Sequence, residues 1–281
     1  MPLRRWFLAL LAPLLGGASA EAQQAADDAL IVTGVTDAAG GGGMKAGDGQ
    51  WHFTTSLVVW RAGDGPVQNQ PLRLEMALPS DAALKRWMDE FPVGKGVRVR
   101  LVAAPTLYGN RYLAQFDKYL GPSTDAELIA KAEPILRPPP YHHPKLGRFV
   151  PDTRLPDMFE GQALWQGCQT KVVLMAGGST TLDDRAETFL RLTSAQDHWA
   201  ARSEDRIFEE LYDVWNDNWR NDDQPMLVRK DWLARLRLQS IVVNEDGSFE
   251  FHYEDGDLFW GHAIMASGTF EYGVTHAEMW G

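Results

Sequence analysis

Leu238-Gln239-Ser240-Ile241-Val242-Val243-Asn244, then Glu245-Asp246-Gly247, then Ser248-Phe249-Glu250-Phe251-His252-Tyr253 is the stretch that decides the fold. Here the apolar residues stop recurring at helical spacing and begin to alternate, the period of a strand with one face buried. Asp246-Gly247 is a dipeptide that favours a two-residue type I′ turn, so residues 238–253 read as a β-hairpin. Asp255-Gly256 is the next turn signal. Asp257 to Ser267 then reads as the longest strand and Val274 to Trp280 as the last, giving a four-strand meander.

Upstream of the meander the period is helical. Trp232, Leu233 and Leu236 mark a short helix; Ile207, Leu211, Val214 and Trp215 share one face of a longer one; Leu182, Ala186, Phe189, Leu190 and Thr193 share a face of a third. Before them, Ala163-Leu164-Trp165-Gln166-Gly167 and Thr170 to Met175 predict a first hairpin. Residues 146–281 therefore predict an α+β domain: an antiparallel β-meander packed by helices on one face.

The first half of the chain has a different pattern. Leu30 to Val35, Trp51 to Trp60 and the strictly alternating Leu72 to Leu78 are three strands; Gly40-Gly41-Gly42-Gly43 reads as a flexible loop between the first two. Ser80 offers an N-cap to a helix with Ala83, Leu84, Trp87, Met88 and Phe91 on one side. Val97 to Val102 and Tyr112 to Tyr119 complete the set. Three strands, a helix and two strands is the element order of an OB-like β-barrel, expected over residues 29–121, with an SH3-like barrel or an open sheet as alternatives. Residues 122–145 read as a Pro-rich linker, with a short helix around Leu128 to Ala132 and an extended spacer at Pro138-Pro139-Pro140-Tyr141-His142-His143-Pro144. Adjacent His142 and His143 would point in different directions, which makes a poor metal chelate.

Residues 1–20 read as a signal peptide: Arg4-Arg5, an apolar run from Phe7 to Leu15, and Ala18-Ser19-Ala20 before Glu21. An ordinary secretory route fits better than a twin-arginine one, and the expected location is periplasmic or secreted. That apolar run is shorter than a membrane span, so no integral membrane segment is expected after cleavage. The single cysteine, Cys168, excludes an internal disulfide and reads as a small packed or half-buried residue at a strand start.

Charge is distributed unevenly. Residues 29–121 hold 10 basic and 8 acidic side chains, whereas residues 147–281 hold 12 basic and 24 acidic, a net of −12. This disfavours nucleic acid for the second half and favours a basic protein partner, as for an immunity-type protein facing a toxin, or serves solubility alone. The residues do not specify an oligomeric state.

Several motifs stand in order in the second half: Leu146-Gly147-Arg148-Phe149, Phe159-Glu160-Gly161, Trp165-Gln166-Gly167, Trp215-Asn216-Asp217-Asn218-Trp219 and Leu258-Phe259-Trp260-Gly261-His262. Together they resemble a bacterial family, domain of unknown function 2262, over roughly residues 146–281. That resemblance implies a fold, but no activity, cofactor or catalytic residue. One departure is the aromatic Trp280-Gly281 end.

No complete catalytic set is present, and no cofactor motif. His262 is the candidate acid/base, with Asp257 and Asp255 nearby and His252 as a further neighbour. Strand alternation would place Leu258, Trp260, His262 and Ile264 on one face, with Trp260 packed under the helices. Trp260, His262, Asn216 and Trp219 are the candidate binding residues. His252, His262 and His276 lie on different strands without HxH or HxxxH spacing, so no metal site is expected. Gly177-Gly178-Ser179-Thr180 lacks a P-loop lysine and precedes acidic residues, and reads as an N-capping turn. The expected function is non-enzymatic binding in the cell envelope. The alternatives are an enzyme using His262 and a small-ligand or envelope-structural module using the tryptophan-rich barrel face.

Overall fold

A computed structural model describes residues 30–280 apart from residues 46, 48, 179 and 222. The expected signal peptide and Ser179 lie outside the described residues. The chain divides into two compact units between Leu136 and Arg137.

The first unit runs β1 Ile31–Thr36, β2 Gly42–Lys45, β3 Trp51–Ala62, β4 Leu72–Leu78, α1 Asp81–Glu90, β5 Gly96–Leu101, β6 Thr106–Tyr108, β7 Arg111–Pro122 and α2 Ala126–Leu136. Its sheet is ordered β1-β5-β7-β4-β3-β2, with β6 paired to β7. An additional pairing of β1 with β3 makes the sheet ring-like. β4 pairs with β7 in parallel; the other ladders are antiparallel. In β4 the alternation predicted from sequence directs Leu72, Leu74, Met76 and Leu78 inward. There Phe53, Phe91 and Phe116 meet edge-on and tilted. Ser80 caps α1 by accepting the Ala83 N–H at 3.2 Å.

Two stretches read as connections are structural elements. The glycine run supplies β2, which pairs with β3 by backbone while Gly43, Met44 and Lys45 stay exposed. The short helix expected around Leu128 to Ala132 forms as the longer α2, and it packs into the first unit, with Leu128 and Ala132 buried against Val35 and Val59. Arg61 fixes the start of α2 through Asp125 at 2.8 Å and Glu127 at 3.0 Å.

The second unit comprises β8 Tyr141–His143, β9 Gly147–Pro151, β10 Met158–Trp165, β11 Cys168–Met175, α3 Leu182–Thr193, α4 Gln196–Asn218, α5 Arg229–Leu233, β12 Arg237–Val243, β13 Phe249–Glu254, β14 Ala263–Thr269 and β15 Gly273–Trp280. The strands form one eight-stranded sheet in sequence order from β15 to β8. The meander β12 to β15 is antiparallel as expected, but β11 and β12 are parallel, so the sheet is mixed. Parallel neighbours require a crossover, and α3, α4 and α5 supply it. The core gathers Phe189, Trp232, Phe249, Phe251 and Phe259.

Pro138-Pro139-Pro140 leads into β8, so the tail of the expected spacer joins the sheet. His142 is exposed and His143 buried, as adjacent strand residues require. The His143 Nδ1 accepts the Lys145 and Leu146 N–H groups, both at 3.3 Å. At the β12–β13 connection Asn244 N–H reaches Ser248 O at 2.9 Å, and of the loop residues only Gly247 has positive φ. That is a three-residue loop, not the type I′ turn that needs two left-handed residues. Cys168 is exposed beside the Gln166-Gly167 turn, not packed.

Thr181 and Asp184 form a capping box at α3, and the Thr181 N–H holds the Asp184 carboxyl below its ordinary value. Arg185, 1% exposed, donates to Thr181 O at 2.7 Å, Gly177 O at 2.6 Å and Glu245 O at 3.3 Å.

Candidate functional site

Glu254 and Ala263 are register partners at the end of the β13–β14 ladder, so residues 255–262 form a loop projecting from that end of the hairpin. The expected strand over Asp257–Ser267 begins only at Ala263. Asp255 is the cause. Its carboxylate is buried and accepts three backbone N–H groups: Asp257 at 3.2 Å, Phe259 at 2.6 Å and Gly261 at 3.1 Å. Short polar side chains compete with sheet ladders for backbone donors in this way. The knot forces left-handed backbone at Gly256 (φ 55), Asp257 (φ 66), Trp260 (φ 57) and Gly261 (φ 90).

Alternation is lost within the loop. Leu258 and Phe259 both enter the core, Phe259 lying 6.3 Å from Trp232 between ring centroids. Trp260, expected beneath the helices, is instead 67% exposed. Trp219, which closes the C-terminus of α4, lies 4.9 Å from Trp260 and 5.2 Å from His262, edge to face in both cases. Three of the four binding candidates therefore meet. Asn216 is committed elsewhere: its Oδ1 accepts from Arg220 Nε at 3.0 Å and its Nδ2 donates to Asp217 at 3.1 Å.

Beside the loop is a cleft of about 720 Å³, lined by Arg235, Arg237 and Gln239 from α5 to β12, His252 and Glu254 from β13, and Asp257, Gly261 and His262 from the loop. His262 is half-buried, and among the described residues its ring nitrogens have no hydrogen-bond partner. Asp255 touches the cleft, and both its oxygens accept backbone N–H groups of the loop. Asp257 and His262 line the same cleft.

His252 is better organised than sequence reasoning credited. Its Nε2 lies 2.8 Å from Glu250 Oε2, and the other Glu250 oxygen accepts from Asn244 Nδ2 at 2.8 Å. The bond to His252 leads the causes holding the Glu250 carboxyl below its ordinary value, against the opposing effect of burial. The signal was the spacing Glu250-x-His252-x-Glu254, which puts all three on one strand face. Trp280, 61% exposed, has its ring 6.1 Å from His252.

His276 lies on the edge strand, 3.4 Å from Glu210 and 3.5 Å from Glu278. Among the described residues no group of three or more His, Cys, Asp or Glu is placed to hold a metal ion. No helix among them is long and apolar enough to cross a membrane.

Residues 143–279 match the family described as "Uncharacterized protein conserved in bacteria (DUF2262)", which is the resemblance carried by the ordered motifs of the second half. No curated protein matches the chain. Among solved structures, it is similar to a deletion mutant of the single-stranded DNA binding protein from Thermus aquaticus, at 9% identity and a TM-score of 0.20, covering 89% of this chain and 92% of that one. A likeness at that TM-score establishes neither fold nor ligand.

Proposed function

We propose that this is a non-enzymatic binding protein of the cell envelope, exported by the segment 1–20, whose second unit grips a basic protein at the surface around Trp260. One observation carries the reading: the Trp260 indole is 67% exposed on a residue held at φ 57 by the Asp255 knot. A large ring fixed outside the core on strained backbone is a preorganised anchor of the kind that dominates interface energetics. Trp219 braces it. Along α4, Asp213 and Asp217 are exposed in the turns leading to Trp219, whereas Asp205 and Glu209 are paired with Arg229 and Arg206. An indole face attracts a Lys or Arg cation, and nearby carboxylates steer it. An immunity-type role against a basic toxin suits this chemistry. The first unit reads as an OB-like barrel, supported by the ring-like strand order and the parallel β4–β7 pair.

The test is capture from periplasmic extract at low and high salt, with Trp260→Ala as control. A basic protein retained at low salt and lost in the variant supports the reading. No protein retained, or equal retention by the variant, overturns it.

A second reading, acid–base catalysis in the cleft, is favoured by the Glu250–His252 pair, since a carboxylate that orients an imidazole is a recurrent catalytic device. Turnover of any substrate class that is abolished in His252→Gln would favour it.

A further inference from the structure

The cleft has a composition that selects neither sign of charge. Arg235, Arg237, Glu254 and Asp257 line it together with Gln239 and the two histidines, and Arg237 and Glu254 are register partners on neighbouring strands. Arg237, Gln239, Glu254, Asp257 and His262 have side chains with no hydrogen-bond partner among the described residues, so donors and acceptors alike are unspent. A free phosphate or a lone cation would meet as much repulsion as attraction there. A hydroxyl group both donates and accepts, and a ligand bearing many of them satisfies guanidinium, amide and carboxylate together.

Each cleft histidine also packs beside a tryptophan. His262 leans on Trp219, which in turn holds the exposed Trp260, and His252 is adjacent to the exposed Trp280. Exposed indoles supply flat apolar faces to ligands that have a polar rim and an apolar side. A volume of about 720 Å³ lies within the range of small-molecule sites. Such a site, polar in its lining and aromatic at its margins, matches one common chemistry: a sugar ring, with hydroxyls at its edge and C–H groups on its faces.

We infer that this cleft is a saccharide-binding site, with Arg237, Glu254 and Asp257 taking hydroxyls and Trp280 stacking on a ring face. The inference rests on the reading of the second unit as a binding module, and names a ligand for the cleft side of the Asp255 loop. A nucleotide is the competing ligand, since it also stacks and carries hydroxyls; its phosphate would meet Glu254 and Asp257 as well as Arg235 and Arg237.

The experiment is titration of the purified full chain with cellobiose, maltose and chitobiose, read by tryptophan fluorescence and saturation-transfer NMR, with AMP and inorganic phosphate as contrasts. At least one disaccharide is expected to saturate below about 10 mM and to weaken tenfold or more in Trp280→Ala and in Glu254→Gln. Asp257→Asn serves as a variant compatible with left-handed backbone, and should weaken binding without lowering the melting temperature. No saturation by any of the three sugars, saturation by AMP or phosphate alone, or full binding by Trp280→Ala and Glu254→Gln together overturns the inference. Because no protein partner is involved, a negative titration beside a positive capture experiment would refute the saccharide site and leave the binding-module reading standing.

Discussion

The carboxylate of Asp255 and the backbone N–H of Phe259 are 2.6 Å apart, and that bond sends two apolar side chains into the core and one indole out of it. Hydrogen bonds to a buried charged acceptor contribute more than neutral ones, and three meet here. Asp255→Ala should therefore cost about 2–4 kcal/mol in urea unfolding. Asp255→Asn, with one acceptor oxygen, should fall between variant and wild type. A loss below about 0.5 kcal/mol for Asp255→Ala would mean that the loop is held by Leu258 and Phe259 alone.

Trp260 separates stability from recognition. Its left-handed backbone is strained for any residue with a Cβ, at a cost of order 1–3 kcal/mol, and glycine removes the strain. Trp260→Gly is expected to unfold at the same or a higher denaturant midpoint than wild type while losing partner capture. Trp232, fully buried, should behave oppositely: Trp232→Ala costs about 3–5 kcal/mol.

The contrast between those two tryptophans also marks how far the sequence could be read. Where backbone donors go into ladders, period alone sufficed, as for Leu72 to Leu78 in β4 and Phe249 to Tyr253 in β13. Leu258-Phe259-Trp260 has the composition of a strand, but Asp255 takes the N–H groups a ladder would need, and no periodicity reports that competition. β2 left no trace because its pairing is carried by backbone with exposed side chains. At the site, Trp219, Trp260 and His262 were named from sequence and do meet. Asn216 does not join them, because Arg220, four residues on, bonds it locally. The Glu250–His252 pair is visible as a two-residue spacing, but spacing alone does not show that His252 lines a cleft.

Glu250 gives the second unit an acid-sensitive contribution. Its folded carboxyl is held below the ordinary 4.5, chiefly by His252. A depressed carboxyl pKa stabilises the fold above 4.5, and the contribution is lost as pH falls below 4.5 through the folded value. In His252→Ala the Glu250 carboxyl carbon should titrate closer to 4.5 by NMR, and this acid-side loss should shrink. An unchanged titration would assign the shift to Asn244.

Strand β15 is an edge, and Glu210 guards it: its Oε2 accepts the Ala277 N–H at 2.9 Å and lies 3.4 Å from His276. An edge donor occupied by a carboxylate cannot template another strand. Glu210→Ala should increase concentration-dependent self-association in light scattering, with little effect on secondary structure by circular dichroism. Equal scattering by variant and wild type would show the edge to be protected by other means.

Arg185 tests what closes the helical end of the second unit. Its guanidinium, 1% exposed, binds the carbonyls of Gly177, Thr181 and Glu245, joining the loop after β11, the start of α3 and the β12–β13 loop. Arg185→Met preserves length and apolar packing but leaves three carbonyls without their donor, at a cost of about 2–4 kcal/mol. Arg185→Lys keeps the charge, yet one ammonium cannot reproduce the planar fork that spans three acceptors, so it should recover less than half of the loss. Urea midpoints for the two variants decide the matter: a lysine variant equal to wild type would mean that charge, and not the geometry of the fork, is what the three carbonyls require.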